Sequence, residues 1–215
     1  NETGLPEPER IVAHLAQSHE QSVTRLALLK FAALMHDAGK PETLRMEGER
    51  HRFIGHDQRS AELLGEMGKG LRLGKKATRA AQTLAAGHMR MFSLTSQIEP
   101  TRRSRLRYLR DLEECTPESV LLTLADEGAT GERPEIFSSL AETGRELLAL
   151  YWESLDHEPV EPLVRGRDLV ELLGMKQGAD VGRILAAVAE AERSGEISDR
   201  AQALAFAKEL AKELD

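Results

Sequence analysis

Apolar positions recur every three to four residues along almost the whole chain, the period of amphipathic helices. Ile11 and Leu15 mark a first helix preceded by Pro6 and Pro8, residues suited to a first helical turn. Leu26, Leu29, Ala33 and His36 fall on one face of a second, which is expected to stop around Gly39 and Pro41. Residues 42–55 break the period with Gly48 and a dense run of charges, and are expected to be irregular. Helical spacing resumes through Ala61 and Leu64 (residues 58–67) and through Ala77, Ala80, Ala81 and Leu84 (residues 75–87). Residues 101–112 form a basic helix in this reading, and Pro117 opens another carrying Val120, Leu121, Leu124 and Ala125. Phe137, Leu140, Gly144, Leu147 and Tyr151 then trace a long stripe read as core.

A charged stretch over residues 156–162, with Pro159 and Pro162, reads as a connector. Three shorter helices follow, over residues 167–173, 180–193 and 198–214, with Asp180 and Ser198 placed to cap the last two. No fixed-period repeat is evident. The expected fold is all-α, in two parts: a helical bundle over residues 1–133 and a small helical tail over residues 160–215, joined by a long helix and connector at 134–159.

Composition agrees with helices. Aromatics are 4 % of residues, β-branched runs are scarce, and Ala, Leu, Glu and Arg are abundant. No apolar run approaches the roughly 18 residues of a membrane span, and Cys115 is the only cysteine, which excludes an intrachain disulfide. A reducing cytoplasm is the natural setting for such a chain. The net charge of −7 hides an uneven distribution. Residues 69–110 hold 11 Lys/Arg against one acid, Glu99, leaving 18 Lys/Arg against 35 acids elsewhere. Such a block is either a footprint for a polyanion or a set of solvated helix faces.

The informative local string is Leu34-Met35-His36-Asp37-Ala38-Gly39-Lys40. Adjacent His and Asp cannot share a face in mid-helix. At a helix end the chain can turn both towards one ion, imidazole nitrogen and carboxylate oxygen being complementary ligands. Gly39 lets the backbone leave the helix without a side-chain clash, and Lys40 can hold a phosphate as a point charge. Alone, the dipeptide would be read as a capped helix end. Downstream, however, come Phe53-Ile54-Gly55-His56, Ala86-Gly87-His88-Met89 and Leu124-Ala125-Asp126-Glu127. Each sets a ligand-type residue in an apolar or glycine-flanked position near an expected helix end.

The order His-Asp, His, His, Asp resembles the HD superfamily of metal-dependent phosphohydrolases, in its His-Asp-x-Gly-Lys variant. The resemblance implies that His36, Asp37 and Asp126 hold a first divalent ion (Mg, Mn, Ni or Zn) and that His56 and His88 serve a second in two-metal members. It makes Asp37 and Lys40 catalytic, Lys40 by contacting substrate phosphate. A further histidine usually precedes the doublet by a helix. His14 and His19 are the upstream candidates here, and neither sits in the family's setting. In closer relatives that piece would fall before Asn1, which implies a fragment.

The wider pattern is similar to bacterial tRNA nucleotidyltransferases and poly(A) polymerases. The doublet segment continues into Pro41-Glu42-Thr43, Phe53-Ile54-Gly55-His56 matches a Phe-x-Gly-His segment, and Leu71-Arg72-Leu73-Gly74 precedes Gly87-His88. Near the end, Gly166-Arg167-Asp168-Leu169 and Leu173-Gly174-Met175-Lys176-Gln177-Gly178-Ala179-Asp180-Val181-Gly182-Arg183-Ile184-Leu185 resemble the family's tail, with Gln177 where proline is typical. The resemblance runs over roughly residues 25 to 205. It implies tRNA or an RNA 3′ end as partner, with Arg102, Arg103, Arg105, Arg107 and Arg110 contacting the backbone. Gly178 and Gly182 bracket a helix start that either receives a phosphate or makes a tight turn and a close packing contact. A Gly-Gly-x-x-Arg-Asp grip and an Asp-x-Asp pair, which the family's nucleotidyl-transfer head requires, are absent from the 215 residues, so this chain alone is not expected to add CCA or A residues. Two other readings stay open: a non-catalytic tRNA-binding module with a relic pocket, and a freestanding HD nucleotide hydrolase.

Overall fold

The structure, a computed structural model, describes residues 4–20, 23–97, 100–131, 133–156, 162–176 and 178–212. It is all-α, with two short two-stranded ladders. Contacts group the chain into two compact units, Asn1–Pro100 with Arg107–Ser154, and Thr101–Leu106 with Leu155–Asp215.

The first unit opens with α1 (Pro8–Ala16), the ladder of β1 (Ser18–Glu20) with β2 (Val23–Thr24), and α2 (Arg25–Met35). Thr24 starts α2, its hydroxyl accepting from Ala27 N at 3.2 Å. The inward face of α2 is Arg25, Leu28 and Ala32; Leu26 and Ala33, expected inside, are exposed. A buried charge sets this rotation. The Arg25 guanidinium donates to Glu118 Oε1 at 2.9 Å and Glu114 O at 3.0 Å, and His14 Nε2 lies 3.1 Å from the same Glu118 carboxylate. One face therefore must carry residue 25, and the neighbouring leucines follow.

Residues 42–55 are more ordered than expected. A single turn, α3 (Lys40–Thr43), leads into a hairpin of β3 (Arg45–Glu47) and β4 (Arg50–Arg52), turning at Gly48 with φ +64°. Its register pairs Arg45 with Arg52, Met46 with His51 and Glu47 with Arg50.

Helices α4 (His56–Gly70) and α5 (Lys75–Gly87) pack through small residues. A Cβ on Gly65 would lie 2.5 Å from Gln82 Nε2, and one on Gly68 2.7 Å from Thr78 Oγ1. Leu64 and Leu84 are fully buried there, each contributing about 1.5–3 kcal/mol of apolar burial. Then come α6 (Arg90–Thr95), α7 (Arg102–Leu112), α8 (Thr116–Thr130) and α9 (Pro134–Asp156). The expected α9 stripe is core: Leu140, Gly144, Leu147 and Tyr151 are buried, with Leu148 and Trp152 beside them.

The second unit holds α10 (Gly166–Leu173), α11 (Ala179–Ser194) and α12 (Arg200–Lys212) around Leu169, Ile184, Val188, Ala203 and Ala207. Asp168 fastens it, accepting from Arg165 N at 2.6 Å and from Arg200 at 2.7 Å. The expected caps are not the ones used. Gly178 precedes α11 with no side-chain cap bond, Asp180 pairs with Arg183, and at α12 Asp199 rather than Ser198 accepts from Gln202 N at 2.8 Å. A Cβ on Gly182 would meet nothing within 4 Å, so that glycine is not there for packing. Gln177 and residues 157–161 of the connector lie outside the described residues.

Candidate metal centre

Four helices deliver the ligand-type side chains. His36 ends α2, Asp37 follows in the turn, His56 begins α4, His88 ends α5, and Asp126 lies on α8. The turn is held by Ala38 N donating to Met35 O and Lys40 N to Asp37 O, both at 3.0 Å. Gly39 has φ −78°, a conformation open to any residue, so backbone freedom is not its purpose. Space is. A Cβ there would sit 2.5 Å from His56 O and 2.8 Å from Ser60 N. Gly39 N also donates to Ser60 Oγ at 2.9 Å, which ties the His-Asp turn to the start of α4. Thr123 makes the equivalent tie on the other side, its hydroxyl donating to His88 O at 3.1 Å one turn before Asp126. Ser60 and Thr123 are buried polar residues that no sequence pattern singles out.

The three histidines are oriented alike. Nδ1 of His36, His56 and His88 lies 2.9, 2.7 and 2.7 Å from the carbonyl oxygen three residues before it, of Ala33, Phe53 and Ala85. A carbonyl only accepts, so each Nδ1 carries the donated proton and each neutral ring keeps its Nε2 lone pair for the cluster. Those Nε2 atoms converge on carboxylates. His36 Nε2 is 3.4 Å from Asp37 Oδ2 and 3.4 Å from Asp126 Oδ1. His56 and His88 Nε2 lie 3.3 and 3.8 Å from Asp37 Oδ1, and 3.1 Å from each other. Asp37 thus faces His36 with one oxygen and the other two histidines with its second.

This donor set fits a divalent cation. His36 Nε2 and Asp37 Oδ1 are buried without a hydrogen-bond partner, and His56 and His88 oppose lone pairs at a distance where a shared cation or proton is needed. The ligand atoms of His36, Asp37 and His88 all fall within 4.8 Å of one another. The protons respond to the same field. The carboxylates of Asp126 and then Asp37 hold the His36 imidazolium, lifting its pKa to about 10 against the opposing effect of burial. Burial pushes His88 down, favouring its neutral, ligating form. Burial alone would raise Asp37, but His36 and Lys40 hold its carboxyl well below the usual range. Lys40 Nζ lies 2.5 Å from Asp37 Oδ2 and remains part-exposed.

The upstream histidines do not join the group. His14 is turned to Glu118 and stacks edgewise on Trp152 at 5.7 Å, and His19 Nε2 lies 3.4 Å from Lys76 O.

The HD-domain family profile matches residues 10–130, a span that holds all five clustered side chains. The chain belongs to the HD-domain family. Over most of its length this HD chain is also similar to curated tRNA nucleotidyltransferases. It is 33% identical to a CC-adding tRNA nucleotidyltransferase of Thermus thermophilus over 82% of the chain and 38% of that protein. With an A-adding tRNA nucleotidyltransferase of Deinococcus radiodurans it shares 32% identity over 94% of the chain and 47% of the relative. A CC-adding enzyme of Synechocystis matches at 30% over 66% of the chain and 32% of its own length. The HD chain therefore spans less than half the length of each of these relatives. Among the described residues no helix is long and apolar enough to cross a membrane.

The basic helix α7 of the HD chain lies partly in each unit. Tyr108, Leu109 and Leu112 are its buried face. Arg103 Nε is 3.6 Å from Glu190 Oε1 and its Nη1 3.7 Å from Glu196 Oε2, within the second unit. Arg110 Nε donates to Asp111 Oδ1 at 3.0 Å, and Arg102 and Arg105 are also engaged by neighbours. Arg107 is exposed, with no ion pair among the described residues.

Proposed function

We propose that the chain is the HD and tail portion of an RNA-processing protein of the tRNA nucleotidyltransferase type, and that its HD centre is a divalent-metal phosphohydrolase site acting on phosphomonoesters or 2′,3′-cyclic phosphates. The observation that carries this reading is the common orientation of His36, His56 and His88, each fixed through Nδ1 with Nε2 aimed at Asp37. Backbone carbonyls that hold a ring in one tautomer are the outer shell expected around a metal-ligating histidine. His36, Asp37 and Asp126 would hold one ion, with His56, His88 and the second oxygen of Asp37 available to another. A bound divalent ion supplies Lewis acidity and a water ionised near neutral pH. Lys40, part-exposed beside Asp37, would contact the substrate phosphate as a point charge in this reading. Arg107, exposed on α7 with no ion pair among the described residues, is a cation available to an RNA backbone in this reading.

The test is elemental analysis of the purified chain and of Asp37→Ala after dialysis against Mn²⁺, Ni²⁺ and Zn²⁺. Near-stoichiometric metal that is lost in the variant, with metal-dependent hydrolysis of a 2′,3′-cyclic nucleotide, is the expected result. Absence of metal from both proteins removes the hydrolase reading and leaves a tRNA-binding module, for which Arg107→Ala should then weaken tRNA binding.

A further inference from the structure

Helices α2 and α8 meet at both ends through polar groups. At their starts the Arg25 guanidinium donates through Nη1 to Glu118 Oε1 at 2.9 Å and to the backbone oxygen of Glu114, just before α8, at 3.0 Å. His14 Nε2, from α1, lies 3.1 and 3.2 Å from the two Glu118 oxygens, and all three side chains of this group are buried. At the other end His36 Nε2 lies 3.4 Å from Asp126 Oδ1. The two helices therefore run side by side in the same direction. At about 1.5 Å of rise per residue, the spans Arg25–His36 and Glu118–Asp126 set the two polar contacts roughly 12–16 Å apart.

Between those ends the packing is apolar. Leu28 and Ala32 of α2 share one cluster with Leu122 of α8 and with Ala77 and Ala80 of α5. Burial of such surface is non-directional; it holds two helices together without fixing how far one stands along the other. Metal ligation needs that position fixed, because donor atoms must stand within about 0.2 Å of their places. A buried ion pair is a poor source of stability, since apolar residues of like volume serve as well or better. Its best-attested use is register. Here Arg25 grips the main chain at Glu114 as well as the Glu118 side chain, so a rotamer change in the acid cannot release it.

We propose that Arg25 and Glu118 are positioning residues of the candidate metal centre. By fixing α2 against α8 at their starts they set His36 against Asp126 at the far end, with His14 steadying the Glu118 carboxylate. This rests on the reading of that centre as a divalent-metal site and deepens it, because it names what keeps two ligands from separate helices in register.

The experiment removes the polar group while leaving no unpaired charge buried. Arg25→Met, Glu118→Leu and His14→Leu are combined; Glu114 keeps Lys76 at 3.1 Å. Folding is checked by circular dichroism and the urea midpoint. Mn²⁺ affinity of the full chain is then measured by calorimetric titration. In metal-free protein, pulsed electron paramagnetic resonance gives the distance between spin labels at Leu34→Cys and Ala129→Cys. Both are exposed positions near the far ends of α2 and α8, and the buried Cys115 escapes the label. The expected result is a folded variant whose label distance shifts by about 1.5 Å or more, one residue of helix rise. Its Mn²⁺ affinity should fall about tenfold or more, the scale of losing an outer-shell partner. Arg25→Lys, which keeps the charge but not the planar fork that reaches both acids, should move both readings the same way by less, and it decides the matter if the triple variant does not fold. An unchanged distance, or a shifted distance with wild-type Mn²⁺ affinity, overturns the proposal. If the wild type takes up no Mn²⁺, the metal-site reading falls, and the label distance alone decides whether the group sets the register.

Discussion

Gly39 and Ser60 decide how closely two ligand-bearing segments approach. Because a Cβ at 39 would press on His56 O and Ser60 N, backbone atoms that cannot swing aside, Gly39→Ala must move the His-Asp turn or the start of α4. Such overpacking costs about 1–3 kcal/mol. The expected result is that loss in urea denaturation together with weakened Mn²⁺ uptake; stability loss with full metal uptake would show that the turn does not set the ligand geometry. Ser60→Ala strips the Gly39 amide of its acceptor, a buried loss of about 1–3 kcal/mol, and should act in the same direction. Away from the centre, burial pushes both tyrosines up to about 12, Tyr108 donating or accepting at Ser119 Oγ 2.8 Å away. An acid whose folded pKa is raised keeps its proton in the folded state at a pH where the unfolded chain has lost it. Stability is therefore unaffected below the ordinary tyrosine value of 10 and falls as pH rises from there towards 12. Absorbance at 295 nm should show no phenolate at pH 10.5 in the native chain and a majority in urea; a native titration centred at 10 would contradict the burial of these rings.

Among the elements, α2 shows most clearly what patterning can and cannot say. Its helical period and its end at the His-Asp turn are legible, as are the bounds of α5, because apolar spacing and glycine placement agree there. The face of α2 is not legible, because it is chosen by Arg25, a residue that periodicity counts as polar. The Arg25–Glu118–His14 group joins α1, α2 and α8 and depends on residues 104 apart in sequence. Removing the shared acid by Glu118→Ala leaves a buried guanidinium with only its Glu114 contacts. A destabilisation of about 3 kcal/mol or more follows, readable as a shift in the urea midpoint; a cost below about 1 kcal/mol would mean that Glu114 alone satisfies the arginine. The hairpin was hidden for a different reason. Each strand is only three residues long, with charges at 45, 47, 50 and 52 and a single other residue between them, too short a run for a period of two to stand out. Of the candidate metal centre, the five ligand-type residues that the structure brings together stand in the sequence as an ordered set. Ser60 and Thr123, which hold them in register, were not, since a lone hydroxyl carries no pattern.

At the scale of the whole molecule, the two units have separate cores. The clusters built on Leu140 and Leu147, on Leu28 and Leu84, and on Leu64 lie entirely in the first unit, whereas that on Leu169 and Ile184 lies entirely in the second. Every side chain of the proposed metal centre, and every residue that positions one, belongs to the first. Cooperativity follows shared burial, so units with separate cores need not melt together. A chain ending at Ser154 should therefore keep a cooperative thermal transition and the same Mn²⁺ stoichiometry as the whole. Helix α7 is the point of strain in that expectation, because its residues 101–106 belong to the second unit and Arg103 finds Glu190 and Glu196 there. Those two pairs are largely solvent-exposed at the arginine, 54% for its side chain, and exposed pairs contribute about 1 kcal/mol or less each. Fraying of the first turns of α7 is the most their loss should cause, since Tyr108, Leu109 and Leu112 anchor the remainder in the first core. Amide exchange on the shortened chain separates the outcomes. Protection lost only at 101–106 is the expected pattern, while loss spreading to His88 and Asp126 would show that the metal centre depends on the tail.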